Sequence, residues 1–156
     1  MTYSKKNFII YFFLFAFLIF LDQLTKRFVI AEIGLNNSKQ FLPGILNLTV
    51  VQNTGGAFSI FKEYPVFFKA IGIVNVFIFS YLVFCPTVKF NEITRLGCVF
   101  VLSGTTGNLI DRFTTIGVID FLDLDFINFA VFNLADVFID TGVVLILLGW
   151  LLNKKH

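Results

Sequence analysis

The sequence is poor in residues that support several kinds of chemistry. Its two cysteines, Cys85 and Cys98, stand in or beside apolar runs without a CxxC pair, and its one histidine, His156, is the last residue. This usage argues against a disulfide framework and a zinc site. The sequence also lacks the HExxH and Gly-x-Ser-x-Gly motifs, which argues against metalloprotease and Ser/His hydrolase chemistry.

Charged residues are scarce as well, and apolar residues take their place. Only 14% of the 156 residues are charged and 57% are hydrophobic, whereas a soluble domain has about 25% and about 45–50% respectively. A water-soluble domain of this size could not bury the excess, because small domains leave much of their surface exposed. The net charge is +2, and no basic run interleaved with aromatics is present. The composition therefore predicts a membrane protein and argues against a nucleic-acid partner.

Four apolar segments are long enough to cross a bilayer as helices. They cover residues 8–21 with a continuation to 30, 66–85, 93–110 and 134–152. Lys5 and Lys6 before the first segment resemble the start of a signal peptide. No cleavage site follows, however, and the helical pattern continues through Asp22 and Lys26, so we interpret the segment as a retained helix.

The region between the first two predicted helices has a different pattern. Pro43 and Gly44 indicate a turn, and alternating β-branched residues up to position 51 predict short strands. Residues 52–57 are typical of a turn-rich loop, and residues 58–61 suit a returning strand. We expect a small sheet over about residues 38–62, on the same side of the membrane as a loop over about residues 113–133. A single domain over residues 1–156 accommodates all of these elements.

The distribution of basic residues predicts the orientation in the membrane. One side carries six basic residues and a single acid, Glu92. The raw basic count does not decide the orientation, because the other six Lys and Arg residues lie on or towards the opposite side. Several of those sit in polar clusters and can be paired, so positive-inside logic makes the first side cytoplasmic, with both termini inside and both large loops outside. The six basic residues of the first side are Lys5, Lys6, Lys89, Arg95, Lys154 and Lys155.

Several polar residues fall in or next to the predicted spans. A charge at the centre of a span costs about 2.5–3.5 kcal/mol and persists when it is paired or lines a functional cavity. Asp22 and Lys26 are four residues apart, which puts them on one helix face where they can pair. Asn108 and Arg112 have the same spacing, and the guanidinium could fix a carboxylate or a substrate carbonyl.

Carboxylates are the remaining candidates for hydrolytic chemistry. Two Asp residues held together share one proton, so that one activates water while the other donates to the substrate carbonyl. Asp120 follows a short apolar run, and Asp136 stands three residues after Asn133 at the start of the fourth span, with Asp140 one turn deeper. Helix capping by Asn133 and Asp136 also explains that spacing. Spacing alone does not select which two Asp residues meet.

Five motifs in order resemble the lipoprotein signal peptidase family, also called signal peptidase II. The resemblance covers nearly the whole chain, and the order of the motifs makes it specific although each motif alone is weak. The motifs are DQLTK at 22–26, NTGGAFS at 53–59, GNLIDR at 107–112, GVIDF at 117–121 and FNLAD at 132–136.

The resemblance implies a bacterial inner-membrane aspartyl peptidase that cleaves prolipoproteins just before a diacylglyceryl-modified Cys. It implies four transmembrane helices with a periplasmic β-cradle, a site near the periplasmic face, and no metal or cofactor. The implied partners are lipid-modified prolipoproteins and membrane lipid, and we expect a monomer. The implied catalytic pair is Asp120 and Asp136, and Asp140 is not carried over as a site residue. The implied binding and supporting residues are Asn53, Asn108, Arg112, Asn133, Asp22, Lys26 and Asp111.

Two other classes of function remain open from the residues alone. A small proton-coupled transporter or channel would use intramembrane Asp, Asn and Lys, but it would favour repeats or paired broken helices, which the sequence lacks. A membrane assembly subunit would use Gly, Ser and Thr faces for packing. It gives no reason for polar clusters to gather on one side, so the peptidase is the favoured hypothesis.

Overall fold

The structure is a computed structural model that describes residues 5–55 and 65–154. Four of its helices are long and apolar enough to cross a membrane, which confirms the predicted spans. The strand predicted at 58–61 lies outside the described residues. The elements are α1 Lys5–Ile33, β1 Ser38–Leu42, β2 Leu46–Asn53, α2 Pro65–Phe84, α3 Glu92–Thr114, β3 Val118–Leu124 and α4 Leu134–Asn153.

The third helix is the centre of the bundle. It contacts each of the other three helices and has the most buried residues, whereas α1 and α4 expose large apolar side chains as a lipid-facing surface. Small residues let α3 and α4 approach closely. A Cβ atom added to Gly97 would lie 2.6 Å from the carbonyl oxygen of Gly142, and one added to Gly142 would lie equally near the carbonyl of Gly97.

Polar contacts hold the N-terminal ends of α1 and α3 beside the C-terminal ends of α2 and α4 at one end of the bundle. The Tyr11 hydroxyl donates a hydrogen bond to Glu92 at the start of α3. Asn91, the N-cap of α3, donates to the carbonyl of Gly149 near the end of α4 at 2.7 Å. Arg95 is buried and donates to carbonyl groups in the last turn of α2. The four helices therefore alternate in direction, with the sheet at the other end.

The sheet is antiparallel with the order β1-β2-β3, and its third strand corrects a prediction. The region expected as a loop over about residues 113–133 contains the end of α3 and all of β3. The strand forms because Ile119 and Phe121 bury their side chains against Val50 of β2 and Val29 of α1. The β1–β2 turn confirms the Pro–Gly signal, since Gly44 has a positive φ of 73°.

Strand pairing sets two polar side chains side by side. In the β2–β3 register, Val51 pairs with Asp120 and Asn53 pairs with Val118. Asn53, predicted in a loop, is thus the last residue of β2. The sheet delivers these residues to the N-terminal end of α4.

Candidate active site

Asp120 is buried at the centre of a polar cluster. Its side chain receives two amide hydrogen bonds, from Asn53 Nδ2 to Oδ2 at 3.0 Å and from Asn133 Nδ2 to Oδ1 at 2.6 Å. The backbone N–H of Gly55 donates to Asn53 Oδ1 at 3.0 Å. This bond orients the Asn53 amide so that its amino group faces the carboxylate.

Asp136 stands in the first turn of α4 and takes part in a capping box with Asn133. The Asn133 backbone N–H donates to Asp136 Oδ2, and the Asp136 backbone N–H donates to Asn133 Oδ1, both at 3.1 Å. Asn108 Nδ2 donates to Asp136 Oδ1 at 2.8 Å. The predicted N-cap is confirmed, and the same Asn133 side chain also holds Asp120.

The surroundings of Asp120 shift its protonation. Burial raises the pKa of Asp120 from its ordinary value to about 6, and repulsion from Asp136 adds to the rise. Hydrogen bonds from Asn53 and Asn133 and the attraction of Lys26 oppose the rise. The titration of this carboxyl therefore comes close to neutral pH, as general acid–base chemistry requires.

A buried lysine supports the cluster from α1. Lys26 Nζ lies 2.9 Å from an Asp22 oxygen, as their spacing predicts, and 2.8 Å from an Asp111 oxygen. It also donates to Asn108 Oδ1 at 3.0 Å. By hydrogen bonds, the ammonium group is connected to Asp136 through Asn108 and to Asp120 through Asn133, which donates to the same Asn108 oxygen.

The two carboxylate partners of Lys26 also hold backbone groups of the site elements. Asp22 Oδ1 accepts from the N–H of Ala135 in the first turn of α4, and Asp111 Oδ2 accepts from the N–H of Ile119 in β3, both at 3.1 Å. Sequence reasoning missed Gln23, whose amide donates to both carboxylates. The sequence feature that could have identified Gln23 is its position next to Asp22, as a second polar residue within a membrane span.

A cavity of about 450 Å³ opens in front of the cluster. Its lining does not include Asn133, Asp22, Lys26 or Asp111. The polar lining comprises Asn53, Asn108, Arg112, Asp120, Asp136 and Asp140, and the other lining residues are Gly55, Val118, Leu124, Ile127, Phe129, Ala130, Val131 and Phe132. Three carboxylates, amide donors and an apolar wall therefore share one cavity.

Arg112 is the cationic member of the lining. It donates to the Asn108 carbonyl at 3.3 Å, and its guanidinium lies 5.6 Å from the centre of the Phe68 ring. It shares the cavity with Asn108, as their spacing predicts. A positive group here can meet a carbonyl or a carboxylate of a bound molecule.

Comparison with known proteins identifies the family. A family model described as Signal peptidase (SPase) II matches residues 14–152. The chain belongs to the signal peptidase II family. Two proteins named lipoprotein signal peptidase, from Streptococcus pyogenes serotypes M6 and M1, are each 40% identical over 132 residues, covering 84% of this chain and 86% of the relative.

Two solved structures have the same fold. Both are described as bacterial membrane enzymes. One has a TM-score of 0.85 at 28% identity and covers 98% of this chain and 92% of its own. The other has a TM-score of 0.81 at 29% identity and covers 96% of each. This signal peptidase II family member is therefore a multi-pass bacterial membrane protein of a protease family.

Proposed function

We propose that this signal peptidase II family member is an aspartic endopeptidase that removes the signal peptide from diacylglyceryl-modified prolipoproteins, with Asp120 and Asp136 as the catalytic pair. The observation that carries the proposal is that these carboxylates, delivered by β3 and α4, line one cavity and are joined through Asn133. Family membership supports the substrate class.

The reaction proceeds by attack of water on the scissile carbonyl carbon. The ionised carboxylate takes a proton from the water while the protonated one donates to the carbonyl oxygen. When the tetrahedral intermediate collapses, the C–N bond breaks and the leaving nitrogen takes a proton from the pair. The shared proton belongs to Asp120 and Asp136 together rather than to either residue.

The lining of the cavity suits a lipid-modified substrate. Asn53 and Arg112 offer hydrogen-bond donors to peptide carbonyl groups, while Leu124, Ile127 and Phe129 form an apolar wall. Acyl chains attached to the residue after the scissile bond would lie against such a wall and in the adjoining bilayer. This arrangement favours cleavage just before the lipidated Cys.

The position of the cavity suits an enzyme at the outer face of the membrane. It lies at the sheet end of the bundle, away from the end where α1 begins and α4 finishes. The basic residues of that opposite end support a cytoplasmic location for both termini. In this proposal the single four-span domain acts as a monomer, and no metal or cofactor takes part.

The proposal is tested with purified protein in detergent and a diacylglyceryl-modified prolipoprotein, with loss of the signal peptide followed by gel shift. Asp120→Asn and Asp136→Asn should each lower the cleavage rate by at least about 1,000-fold, because each removes one of two proton carriers. Asp123→Asn is the matched control: this carboxylate also lies on β3, but it accepts a hydrogen bond from Thr49 outside the cavity lining.

Retained cleavage in either site variant would exclude the dyad. An unmodified prolipoprotein is run alongside, and its cleavage at an equal rate would exclude lipid dependence. Mass spectrometry of the mature product gives the cleaved bond, and a product that does not begin with the lipidated Cys contradicts the proposed position of cleavage.

A further inference from the structure

Asp140 has no part in the proposed reaction, yet it faces the same cavity. It lies on α4 four residues after Asp136, which places both side chains on one face of the helix. It lines the cavity. It has no hydrogen bond or ion pair with any other residue that the structure describes. A carboxylate inside a membrane span that faces a cavity is a candidate for substrate contact.

Asp140 is the cavity-lining residue of α4 that lies farthest from the sheet. Because a helix rises 1.5 Å per residue, Asp140 lies about 6 Å further from the sheet than Asp136. The same face of α4 continues with Val143, Val144 and Leu147, which are exposed apolar side chains suited to lipid. Asp140 is therefore the last polar group on this face before the lipid-facing surface.

If the proposed function holds, the depth of Asp140 in the membrane indicates which residue of the substrate would lie next to it. The signal peptide is the part of a prolipoprotein that lies in the bilayer, so residues before the scissile bond lie deeper than the bond itself. An extended chain advances about 3.3 Å per residue, so a depth of about 6 Å corresponds to roughly two residues. A side chain at that position would come within reach of Asp140.

We propose that Asp140 is a specificity-determining residue that accepts a hydrogen bond from a donor side chain two residues before the scissile bond. A carboxyl group accepts hydrogen bonds in either protonation state. A substrate that supplies a hydroxyl or amide donor satisfies Asp140 when the bound peptide shields it from water. A substrate with an apolar side chain there leaves the carboxyl group without a partner and binds less well.

The test compares diacylglyceryl-modified prolipoproteins with Ser or Ala at one, two or three residues before the scissile bond. The unmutated protein should cleave the Ser substrate with about tenfold higher kcat/KM than the Ala substrate when the change is at the second position. Asp140→Val should abolish this preference, because it removes the carboxyl group that the Ala substrate leaves without a partner and the acceptor that the Ser substrate uses. Asp140→Asn keeps an acceptor oxygen and should retain part of the preference.

Glu32→Gln is the control for loss of one negative charge, because Glu32 is exposed in the last turn of α1 outside the cavity lining. It should leave the preference unchanged.

The proposal is overturned by a Ser preference that survives in Asp140→Val, by a preference confined to the first or third position, or by no preference at all. Failure of the unmutated protein to cleave any of the substrates overturns the proposed function and this inference together, whereas normal cleavage without an Asp140-dependent preference overturns this inference alone.

Discussion

Asn133 combines a helix cap with support for both proposed catalytic residues. Its side chain is fully buried, accepts from the backbone of Asp136 and donates to Asp120 and Asn108. One amide therefore fixes the start of α4 and the relative placement of two carboxylates. Stability and activity depend on different atoms of the same side chain, so suitable substitutions can separate them.

Asn133→Ser and Asn133→Ala should differ from each other in stability, whereas both should lose activity to a similar extent. Serine caps a helix as well as asparagine, whereas alanine costs about 1 kcal/mol. The serine side chain is too short to replace the Asn133–Asp120 hydrogen bond, so both variants should lose on the order of 100-fold in cleavage rate through misplacement. Thermal unfolding in detergent and initial rates on lipidated prolipoprotein measure the two effects. An Asn133→Ser variant with an unchanged rate would show that the bond to Asp120 is dispensable.

Asp120→Asn should change how stability depends on pH. The raised pKa of Asp120, about 6 against 3.8, means that ionising it costs more in the folded than in the unfolded protein. The unmutated protein therefore loses up to about 3 kcal/mol as pH rises through this window, and the loss is complete above about pH 6. Asparagine does not titrate, so the Tm of Asp120→Asn relative to the unmutated protein should rise between about pH 4 and pH 6 and then level off.

The test of this pH dependence is its slope, because any fixed cost of placing an amide at position 120 does not vary with pH. The Tm of both proteins is measured in detergent at intervals across the window. Asp123→Asn serves as the control carboxylate, since it lies outside the cavity lining. A Tm difference that stays constant across the window would contradict the shifted titration of Asp120.

Local spacing predicts some of these residue contacts and not others. The Asp22–Lys26 pair and the Asn133 cap follow from positions within one helix, and both are present. The meeting of Asp120 with Asp136 depends on how β3 packs beside α4, which no local spacing encodes. That pair came from the family resemblance, and its catalytic role stays a prediction.

At the scale of elements, the contact between α3 and α4 depends on glycine. Gly97 and Gly142 face each other so closely that an added Cβ on either meets backbone atoms of the partner helix. Backbone cannot move aside as a side chain can, so the helices would have to separate. Because α3 and α4 carry Asn108, Arg112 and Asp136, separation would also disturb the site.

Gly142→Ala should therefore destabilise the protein although alanine is the better helix former. We expect a loss of roughly 1–3 kcal/mol from overpacking. Gly72→Ala on α2 is the matched control, because its added Cβ would meet only the flexible end of Leu109. The control should be neutral or stabilised by up to about 1 kcal/mol. Thermal unfolding of both variants in detergent measures the effect, and equal Tm values would argue against a tight α3–α4 contact.

The elements differ in how well the sequence predicts them. Each helix is encoded by its own length and apolar content, so all four spans were predicted, although α3 extends to Thr114 beyond the predicted end. The hairpin of β1 and β2 follows from a turn signal between neighbouring strands. The third strand was missed because Val118–Leu124 pairs with β2 across two helices in sequence, and short apolar runs do not reveal a distant partner.

At the scale of the whole molecule, the alternating helices separate two chemically different ends. One end carries the sheet, the carboxylates and the cavity, and the other holds the N-terminal end of α1 and the C-terminal end of α4. The proposed function requires the cavity end to face outward, where prolipoproteins present their lipidated Cys. The charge distribution supports this orientation. Arg95 contributes less to it than an exposed basic residue would, because its guanidinium is buried against carbonyl groups of α2.

The two native cysteines allow the orientation to be measured. Cys85 follows the last residue of α2 at the end proposed as cytoplasmic, and hydrogen bonds with Thr87 lower the pKa of its thiol, which favours reaction with maleimide. Cys98 is buried. In spheroplasts, a membrane-impermeant maleimide should label Cys85 only after the membrane is opened. In the Gln40→Cys variant, which places a thiol on the exposed strand β1, it should label the new thiol in intact spheroplasts.

The reverse labelling pattern would place the sheet and the cavity in the cytoplasm. A prolipoprotein whose signal peptide had crossed the membrane could not then reach Asp120 and Asp136, so the proposed function would fail together with the orientation. A Cys98→Ser variant with the same labelling as the unmutated protein confirms that the signal comes from Cys85. Because cleavage in detergent does not depend on orientation, topology and activity are independent tests of the same proposal.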